Sequence, residues 1–397
     1  MRIGVIGAGG RGKIAALCPR VDATVPRVDA AVSLVAAADP DQTALDAFRA
    51  DHGSDTFTTR DYRDLVDRPE IDAVFVCSPD HLHEEHAIAA MEAGKAVYLE
   101  KPIATTIEGS DRVLATAHAT GSKLFLGHNM RYFPSIVTMR DIIRSGEIGA
   151  VQAIWCRHFV AIGGDAYFKD WHSESRNTTS LLLQKGAHDI DVIHWLAGAY
   201  TERVVALGKL SVYDKQRRRP AGISHRVKID AANWPVDASA DYSPEIDVED
   251  HSMVLMNLTN GVQASYLQCH YTPDYWRNYT VIGTHGRIEN IGDSGACEIH
   301  VFTTRRDRRS EPDRVVSLQP EQGSHGGSDP RIVESFIRFV RDGVAPNTSP
   351  LAARNAVAAG YRATESLRAG GEPRVVEPAG QELIDYFDAG QPRRDLR

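Results

Sequence analysis

Between Leu182 and Leu196 the chain sets several proton-handling side chains at helical spacing. His188, Asp191 and Trp195 fall at i, i+3 and i+7 and share one helix face. Ile190, Ile193, Leu196 and Ala197 form a broad apolar face. Gln184 stands one turn before His188, with Lys185 beside it. An imidazole changes charge near neutrality, so His188 suits taking a proton from a hydroxyl or returning one. Asp191 or Gln184 is placed to orient the ring, and Lys185 adds a cation. Taken alone, the same pattern describes a half-buried helix with a salt-bridged histidine. What the chemistry acts on has to be read from the elements that position it.

The 397 residues exceed what one hydrophobic core usually supports, so two domains are expected. Hydrophobic residues at 42% and charged residues at 25% are ordinary for a soluble globular protein. A formal charge of −8 argues against nucleic acid or an anionic membrane as the main partner. No apolar run approaches the roughly 18 residues of a membrane span. Met1-Arg2 leads directly into a strand, without a signal-peptide pattern. Cys18, Cys77, Cys156, Cys269 and Cys297 are scattered and form no CxxC pair, so neither a metal site nor a disulfide framework is expected. A reducing cytoplasm is the compartment this implies.

The N-terminus reads as a nucleotide-binding element. The apolar run Arg2–Ile6 passes into Gly7-Ala8-Gly9-Gly10-Arg11-Gly12 and then into a helix start at Lys13–Leu17. This is GxGxxG in the strand–turn–helix context it requires: Gly7 for the turn, Gly9 for close approach of a pyrophosphate, Gly12 for helix–strand packing. Gly10 and Arg11 complete the loop, and the helix N-terminus offers N–H groups to phosphate. A second strand, Ala31–Ala38, ends in Asp39. An acid there accepts the ribose hydroxyls and repels a 2′-phosphate, so NAD is favoured over NADP. The spacing from Gly12 exceeds the usual roughly 20 residues, and Pro19 and Pro26 point to an inserted loop. Ile71–Cys77 is a further buried strand, ending in the turn Ser78-Pro79-Asp80-His81-Leu82-His83. His81, His83 and His86 invite a metal reading, but a ligand-facing turn at the carboxyl edge of a parallel sheet explains them better. Ala96–Leu99 delivers Glu100-Lys101-Pro102 to the same edge.

The glycine fingerprint, the Ser78–His83 turn, Glu100-Lys101-Pro102, the run Gly127-His128-Asn129-Met130-Arg131-Tyr132 and the 182–196 stretch together resemble the Gfo/Idh/MocA family, the glucose–fructose oxidoreductase and inositol dehydrogenase group. The resemblance implies an α/β N-terminal Rossmann domain over 1–127. It also implies an α+β C-terminal domain over 128–397 with a large, mainly antiparallel open sheet. It implies NAD held by Gly7, Gly9, Gly10, Arg11, Gly12, Asp39, Ser78, Pro79, His81, His83, Glu100, Lys101 and Asn129. Lys101 takes the family's role beside the nicotinamide and the substrate hydroxyl, with His188 as base. The family often carries Asp where this chain has Gln184, which can orient the imidazole but cannot take up a proton. Lys185 approaching Lys101 would lower the pKa of both and favour an anionic substrate group. Dimers or tetramers through the sheet are implied as well.

Strand patterns follow at 151–162, 204–213, 252–258, 262–270, 278–283 and 298–304, with returning helices at 331–342 and 351–368 and a polar tail after Pro378. In the first of these strands Gln152, Ile154, Cys156, His158 and Val160 face one way and Trp155, Arg157, Phe159 and Ala161 the other. The segment 165–177, with Trp171 and His172, combines aromatic rings and hydrogen-bonding groups in the way sugars demand, and 269–277 has the same character. With Arg131, Tyr132, His158, Lys185 and His188 these are the expected substrate contacts. The leading expectation is an NAD-dependent dehydrogenase of a sugar, cyclitol or glycoside. The alternative is a redox-neutral NAD-dependent glycosidase, and a third reading is a non-catalytic NAD sensor.

Overall fold

The structure, a computed structural model, describes residues 1–18, 32–223, 228–293, 295–308, 310–319 and 323–392. The expected inserted loop around Pro19 and Pro26 lies outside them. The chain divides into two compact units, one of residues 1–132, 323–354 and 379–397, the other of 133–322 and 355–378. Residues 323–354 and 379–397 thus belong with the nucleotide fold, not with the single domain expected over 128–397.

In the first unit, six parallel strands lie in the order β3-β2-β1-β4-β5-β6: β1 Arg2–Ile6, β2 Ser33–Ala38, β3 Phe57–Thr59, β4 Ala73–Val76, β5 Ala96–Leu99 and β6 Leu124–Leu126. All four β4 side chains, Ala73 to Val76, are fully buried, as expected of a strand covered on both faces. The helices between them are capped by local carboxylate or hydroxyl groups: Asp41 accepts from the Thr43 N–H, Asp61 from Arg63 and Thr106 from Gly109. The strand order reverses between β1 and β4, which opens a crevice at their carboxyl ends.

The helix Ser328–Asp342 joins this unit because its apolar stripe has an aromatic partner there. Phe336 meets Phe75, Tyr98 and Phe125 edge-on at ring separations of 5.1, 5.6 and 5.5 Å, and truncating a buried Phe of this kind costs about 3–5 kcal/mol. The tail after Pro378 is less polar in effect than expected. It forms a helix, Gln381–Asp388, that buries Tyr386 and Phe387. Beyond it the Gln391 amide accepts from the Leu124 N–H and donates to the Leu124 carbonyl, both at 2.9 Å, and so pairs with the edge strand β6.

The second unit is a nine-stranded sheet in the order β14-β13-β12-β11-β7-β10-β9-β8-β15. Its strands are β7 Val151–Phe159, β8 Thr201–Lys209, β9 His251–Leu258, β10 Gln263–Cys269, β11 Trp276–Gly283, β12 Arg287–Ile291, β13 Cys297–Phe302, β14 Arg314–Leu318 and β15 Arg374–Val375. Only the β7–β10 pair is parallel. Strands β12, β14 and β15 were not expected from the sequence. One face, with Ile154, Cys156, His158, Val254, Met256 and Tyr266, is buried; the helix Gly186–Ala197 packs on β7 and β10 and the helix Pro134–Arg144 on β12 and β13. The other leaves Trp155, Leu207, Met253 and Leu255 more than half exposed within the single chain. Among the described residues no helix is long and apolar enough to cross a membrane.

Candidate active site

Each unit carries its own cluster. In the first, β1 ends in Gly7, whose φ of +86° puts it in the left-handed region. A Cβ there would lie 2.7 Å from the Cys77 and Ser78 backbone. A Cβ on Gly12 would lie 1.9 Å from the Gly7 carbonyl oxygen, while one on Gly9 would meet nothing within 4 Å. The loop is therefore tight where it packs on itself and open at Gly9, where a ligand needs room. The segment that follows, Gly10–Leu17, is a 3₁₀ run rather than the expected α-helix. At the end of β2, Asp39 accepts from the Gly9 N–H at 3.3 Å and from the Asp41 N–H at 2.9 Å, and stays part-exposed. An open glycine backbone beside a strand-end carboxylate fits the pyrophosphate and ribose of a dinucleotide.

Arg11 does something else. Its guanidinium pairs with Glu100 at 2.7 Å and grips both oxygens of Asp329 at 2.7 and 2.9 Å. Asp329, nearly fully buried, also accepts from Asn129, Ser324 and His325. Arg11 and Asn129, expected at the cofactor, thus brace the glycine loop, the end of β5 and the helix Ser328–Asp342 into one body. Asp329 itself was missed by the sequence reading; it lies 318 residues from Arg11 and has no local signal. Glu100 accepts from Arg11, from the Tyr98 hydroxyl at 3.3 Å and, through Oε2, from the Lys101 N–H at 3.2 Å. Lys101 is half-buried. Ser78 is buried and its Oγ bonds His86 Nδ1 at 2.9 Å; burial pushes the His86 imidazole down to about 4. His83 has its two ring nitrogens on the Ser78 and Pro102 carbonyls, while His81 faces solvent. The expected substrate contacts Arg131 and Tyr132 are buried here, on the Asn347 carbonyl and the Ser335 hydroxyl, both at 2.8 Å.

In the second unit the 182–196 stretch is not one helix. It divides at Lys185 into Leu181–Gln184, capped by Ser180, and Gly186–Ala197, so Gln184 is not the previous turn of the His188 helix. His188, in the first turn of the longer helix, is partly exposed; Gln184 and Asp191 are buried. The residue that fixes this turn is Asp189, fully buried. It accepts from the Tyr266 hydroxyl at 2.9 Å, from the Tyr279 hydroxyl and from His158 Nδ1 at 2.9 Å, and pairs with Arg277 at 3.1 Å. Those partners sit on β10, β11 and β7. Burial alone would raise the Asp189 carboxyl, but the Arg277 charge, then His158 and Tyr279, hold it well below the usual carboxylate range.

Burial, then Arg277, push His158 down to about 4, so it is neutral. Its Nδ1–H donates to Asp189, and Nε2 accepts from Arg277 Nη2 at 3.1 Å. Expected at the substrate, His158 is instead committed to this network. Burial and Arg277 push Lys185 down to about 8, against the pull of Asp189 and Asp293. Its ammonium stands 5.6 Å from the Tyr167 ring. Trp171 stacks on His172 at 3.7 Å, and His172 Nδ1 bonds Asp170 at 2.6 Å. Tyr167 contacts both His172 and the buried His270 edge-on, so the aromatic segments at 165–177 and 269–277 do meet around Lys185.

The sequence resembles known proteins along both units. Residues 1–128 match the family described as oxidoreductases with an NAD-binding Rossmann fold, and residues 136–289 match the GFO/IDH/MocA C-terminal domain. Inositol 2-dehydrogenase of Ralstonia nicotianae is 33% identical over 201 residues, 50% of this chain and 55% of the relative. Levoglucosan dehydrogenase of Pseudarthrobacter phenanthrenivorans is 26% identical over 268 residues, 65% of this chain and 63% of the relative. The chain thus spans little more than half the length of these curated relatives. A solved levoglucosan dehydrogenase in complex with NADH and L-sorbose has the same fold, with a TM-score of 0.79 at 20% identity over 96% of this chain and 99% of the other. With an NAD-binding glycine loop in one unit and the family's second domain in the other, the chain belongs to the Gfo/Idh/MocA oxidoreductase family.

Proposed function

We propose that the chain oxidises, or in reverse forms, a secondary hydroxyl of a sugar or cyclitol. The observation that carries this reading is the turn Lys185–His188, an acid–base turn tied through buried Asp189 to three strands. NAD would be held by the glycine loop and Asp39 and would supply the hydride acceptor. The chain's residues handle the rest. His188 accepts the hydroxyl proton, a role that contributes about 10²–10⁴ in rate. Lys101 supplies a cation able to stabilise the charge that develops on a hydroxyl oxygen. Gly7, Gly9, Gly12 and Asp39 hold the dinucleotide, with Asp39 on the ribose hydroxyls. Lys185 and the aromatic groups Tyr167, Trp171 and His172 supply a cation and flat apolar faces for a ring that presents CH and OH groups together. The inositol and levoglucosan activities named for relatives support this substrate class. The exposed row Trp155, Leu255 and Leu207 supports a homo-oligomer formed through the sheet.

The test is the purified protein with NAD and a panel that includes myo-inositol, levoglucosan and anionic sugars, followed by NADH absorbance. At least one sugar should reduce NAD, and His188→Ala should depress kcat far more than it weakens NAD binding. Equal loss of both would make the helix merely structural. Release of an aglycone from an aryl glycoside without net NADH would overturn the dehydrogenase reading.

A further inference from the structure

Between β8 and β9 the chain leaves the sheet for a long excursion, of which residues 210–223 and 228–250 are described. It folds back onto the aromatic segment at 165–177. Phe168, Leu181, Tyr213, Val236, Tyr242 and Val248 form a buried apolar cluster of their own, and the last four come from the excursion. Tyr213 stacks on Phe168 with ring centroids 3.9 Å apart, and its hydroxyl donates to the His270 carbonyl at 2.8 Å. A Cβ on Gly164 would lie 2.9 Å from that hydroxyl oxygen, and one on Gly163 would lie 2.2 Å from the His270 carbonyl oxygen. The two glycines let the segment, the excursion and the end of β10 pack this closely.

Lys169 stands at the middle of this joint and is 2% exposed. Its ammonium lies 2.9 Å from Asp165 Oδ1 and 2.8 Å from Asp241 Oδ1, and donates to Ser239 Oγ at 2.6 Å. Two carboxylates and a hydroxyl offset the water that the cation gives up. Asp165 belongs to the segment, whereas Asp241 and Ser239 belong to the excursion, so the cation cross-links the two. Asp165 also accepts from the Asp230 N–H at 3.0 Å and from the Asn233 amide at 2.7 Å. The main chains are laced on either side. Ser243 N–H donates to the Phe168 carbonyl at 2.9 Å, Asp247 N–H to the Ser173 carbonyl at 3.1 Å, and Arg219 Nη1 to the Lys169 carbonyl at 2.8 Å. Lys169 lies within three residues of Tyr167, Trp171 and His172.

We propose that Lys169 is a positioning residue: its ammonium pins the excursion between β8 and β9 onto the aromatic segment and so sets where Tyr167, Trp171 and His172 stand. The effect on substrate affinity rests on the reading that these three side chains meet the sugar; the pin itself does not. A segment already held in place costs a ligand less to order, so loosening it weakens binding without touching the chemistry.

The test uses the full chain and two variants. Lys169→Met keeps the length of the side chain and removes the charge. Asp241→Asn cuts only the excursion's half of the pin, at a half-exposed carboxylate whose loss the fold tolerates better, and it decides the matter if Lys169→Met does not fold. Hydrogen exchange read by mass spectrometry should speed up about tenfold or more in peptides from 165–173 and 236–247, and stay unchanged in β7 and β10. Unchanged exchange in 165–173, or an equal rise throughout the second unit, overturns the pin. With the best sugar of the panel, KM should rise about tenfold while kcat and the NAD Kd move less than about threefold. A merely structural role would reduce the amount of active enzyme, and with it the apparent kcat, and leave KM in place; that result, or an unchanged KM, overturns the positioning role. Because exchange needs no substrate, failure of every sugar in the panel counts against the proposed oxidation and leaves the pin to be decided by the exchange rates.

Discussion

Asp189→Asn removes the charge on which the acid–base turn rests while keeping the side chain's shape. It leaves Arg277 buried, with Asp293 at 3.5 Å as its remaining carboxylate. Removing one partner of a buried pair costs about 3–5 kcal/mol. The amide still accepts from one tyrosine hydroxyl and Asp293 still offsets part of the charge, so about 3 kcal/mol is the working figure. For a unit of about 200 residues that lowers the melting temperature by about 6–12 °C. Lys185 provides a second readout. Asp189 pulls the Lys185 pKa upward against burial and Arg277, which hold it at about 8. Loss of the Asp189 charge moves it lower still, so the alkaline limb of kcat/KM should shift to lower pH if the reaction uses the charged ammonium. The assay is thermal unfolding and pH–rate profiles of Asp189→Asn, Arg277→Met and the double variant. The two substitutions should couple, the double variant being less destabilised than the sum by about 1–3 kcal/mol. Additive losses, or a melting temperature for Asp189→Asn within about 2 °C of wild type, would refute the network.

Other perturbations address the cofactor, the pH range and the sheet. Asp39→Ala should weaken NAD binding about tenfold or more and leave NADP binding unchanged or improved, read by titration of either cofactor; an unchanged NAD affinity removes the argument from the β2 end. His158 binds its proton near 4 when folded and near the ordinary 6.5 when unfolded. The unfolded chain therefore binds more protons between those values, and stability from this group is present above 6.5 and lost as pH falls towards 4, by roughly 3 kcal/mol in all. Urea titrations across that window should show the loss, with a shallower slope in His158→Gln; equal slopes would exclude His158 as the cause. Leu255→Glu places a charge in the middle of the exposed apolar row and should lower the sedimentation mass of an oligomer formed through that face; an unchanged oligomer moves the interface elsewhere.

The nucleotide fold was legible because its signals are local. A strand, a glycine turn and a helix start occupy residues 2–17, and the buried strands read as short apolar runs with turns between them. Boundaries came within a few residues for β4 and β5. What escaped were short strands whose identity comes from pairing. Arg314–Leu318 alternates weakly and exists because β13 lies beside it, and Arg374–Val375 is two residues long beside β8. The return of residues 323–354 to the first unit escaped for the same reason: the stripe on Ser328–Asp342 says that the helix is amphipathic, while the rings Phe75, Tyr98 and Phe125 that receive Phe336 lie over 200 residues earlier.

The site divides the same way, and Asp189 shows where the division falls. The sequence places it at i−4 from Ile193 and i−7 from Leu196, a carboxylate inside the apolar stripe. Asp191, which shares the His188 face, reads as the functional carboxylate instead. A carboxylate on a buried stripe has to be paired or neutral, because an isolated buried charge is too costly. That much was readable from the helix alone. The partner was not: Arg277, Tyr266 and Tyr279 lie 77 to 90 residues further on, in strands whose apolar patterning gives no hint of a common target. The same holds for Arg11, which sits in the glycine loop and reads as a phosphate ligand until Asp329 arrives from the far end of the chain. In both cases the sequence names the charge and the fold supplies its counter-charge. The residues that read as ligands by motif are those whose role depends most on what arrives from elsewhere in the chain. Gly7 and Gly12 keep the turn and packing roles their spacing implies, because a local cause fixes each: the left-handed φ of Gly7 and the approach of the Gly7 carbonyl to Gly12.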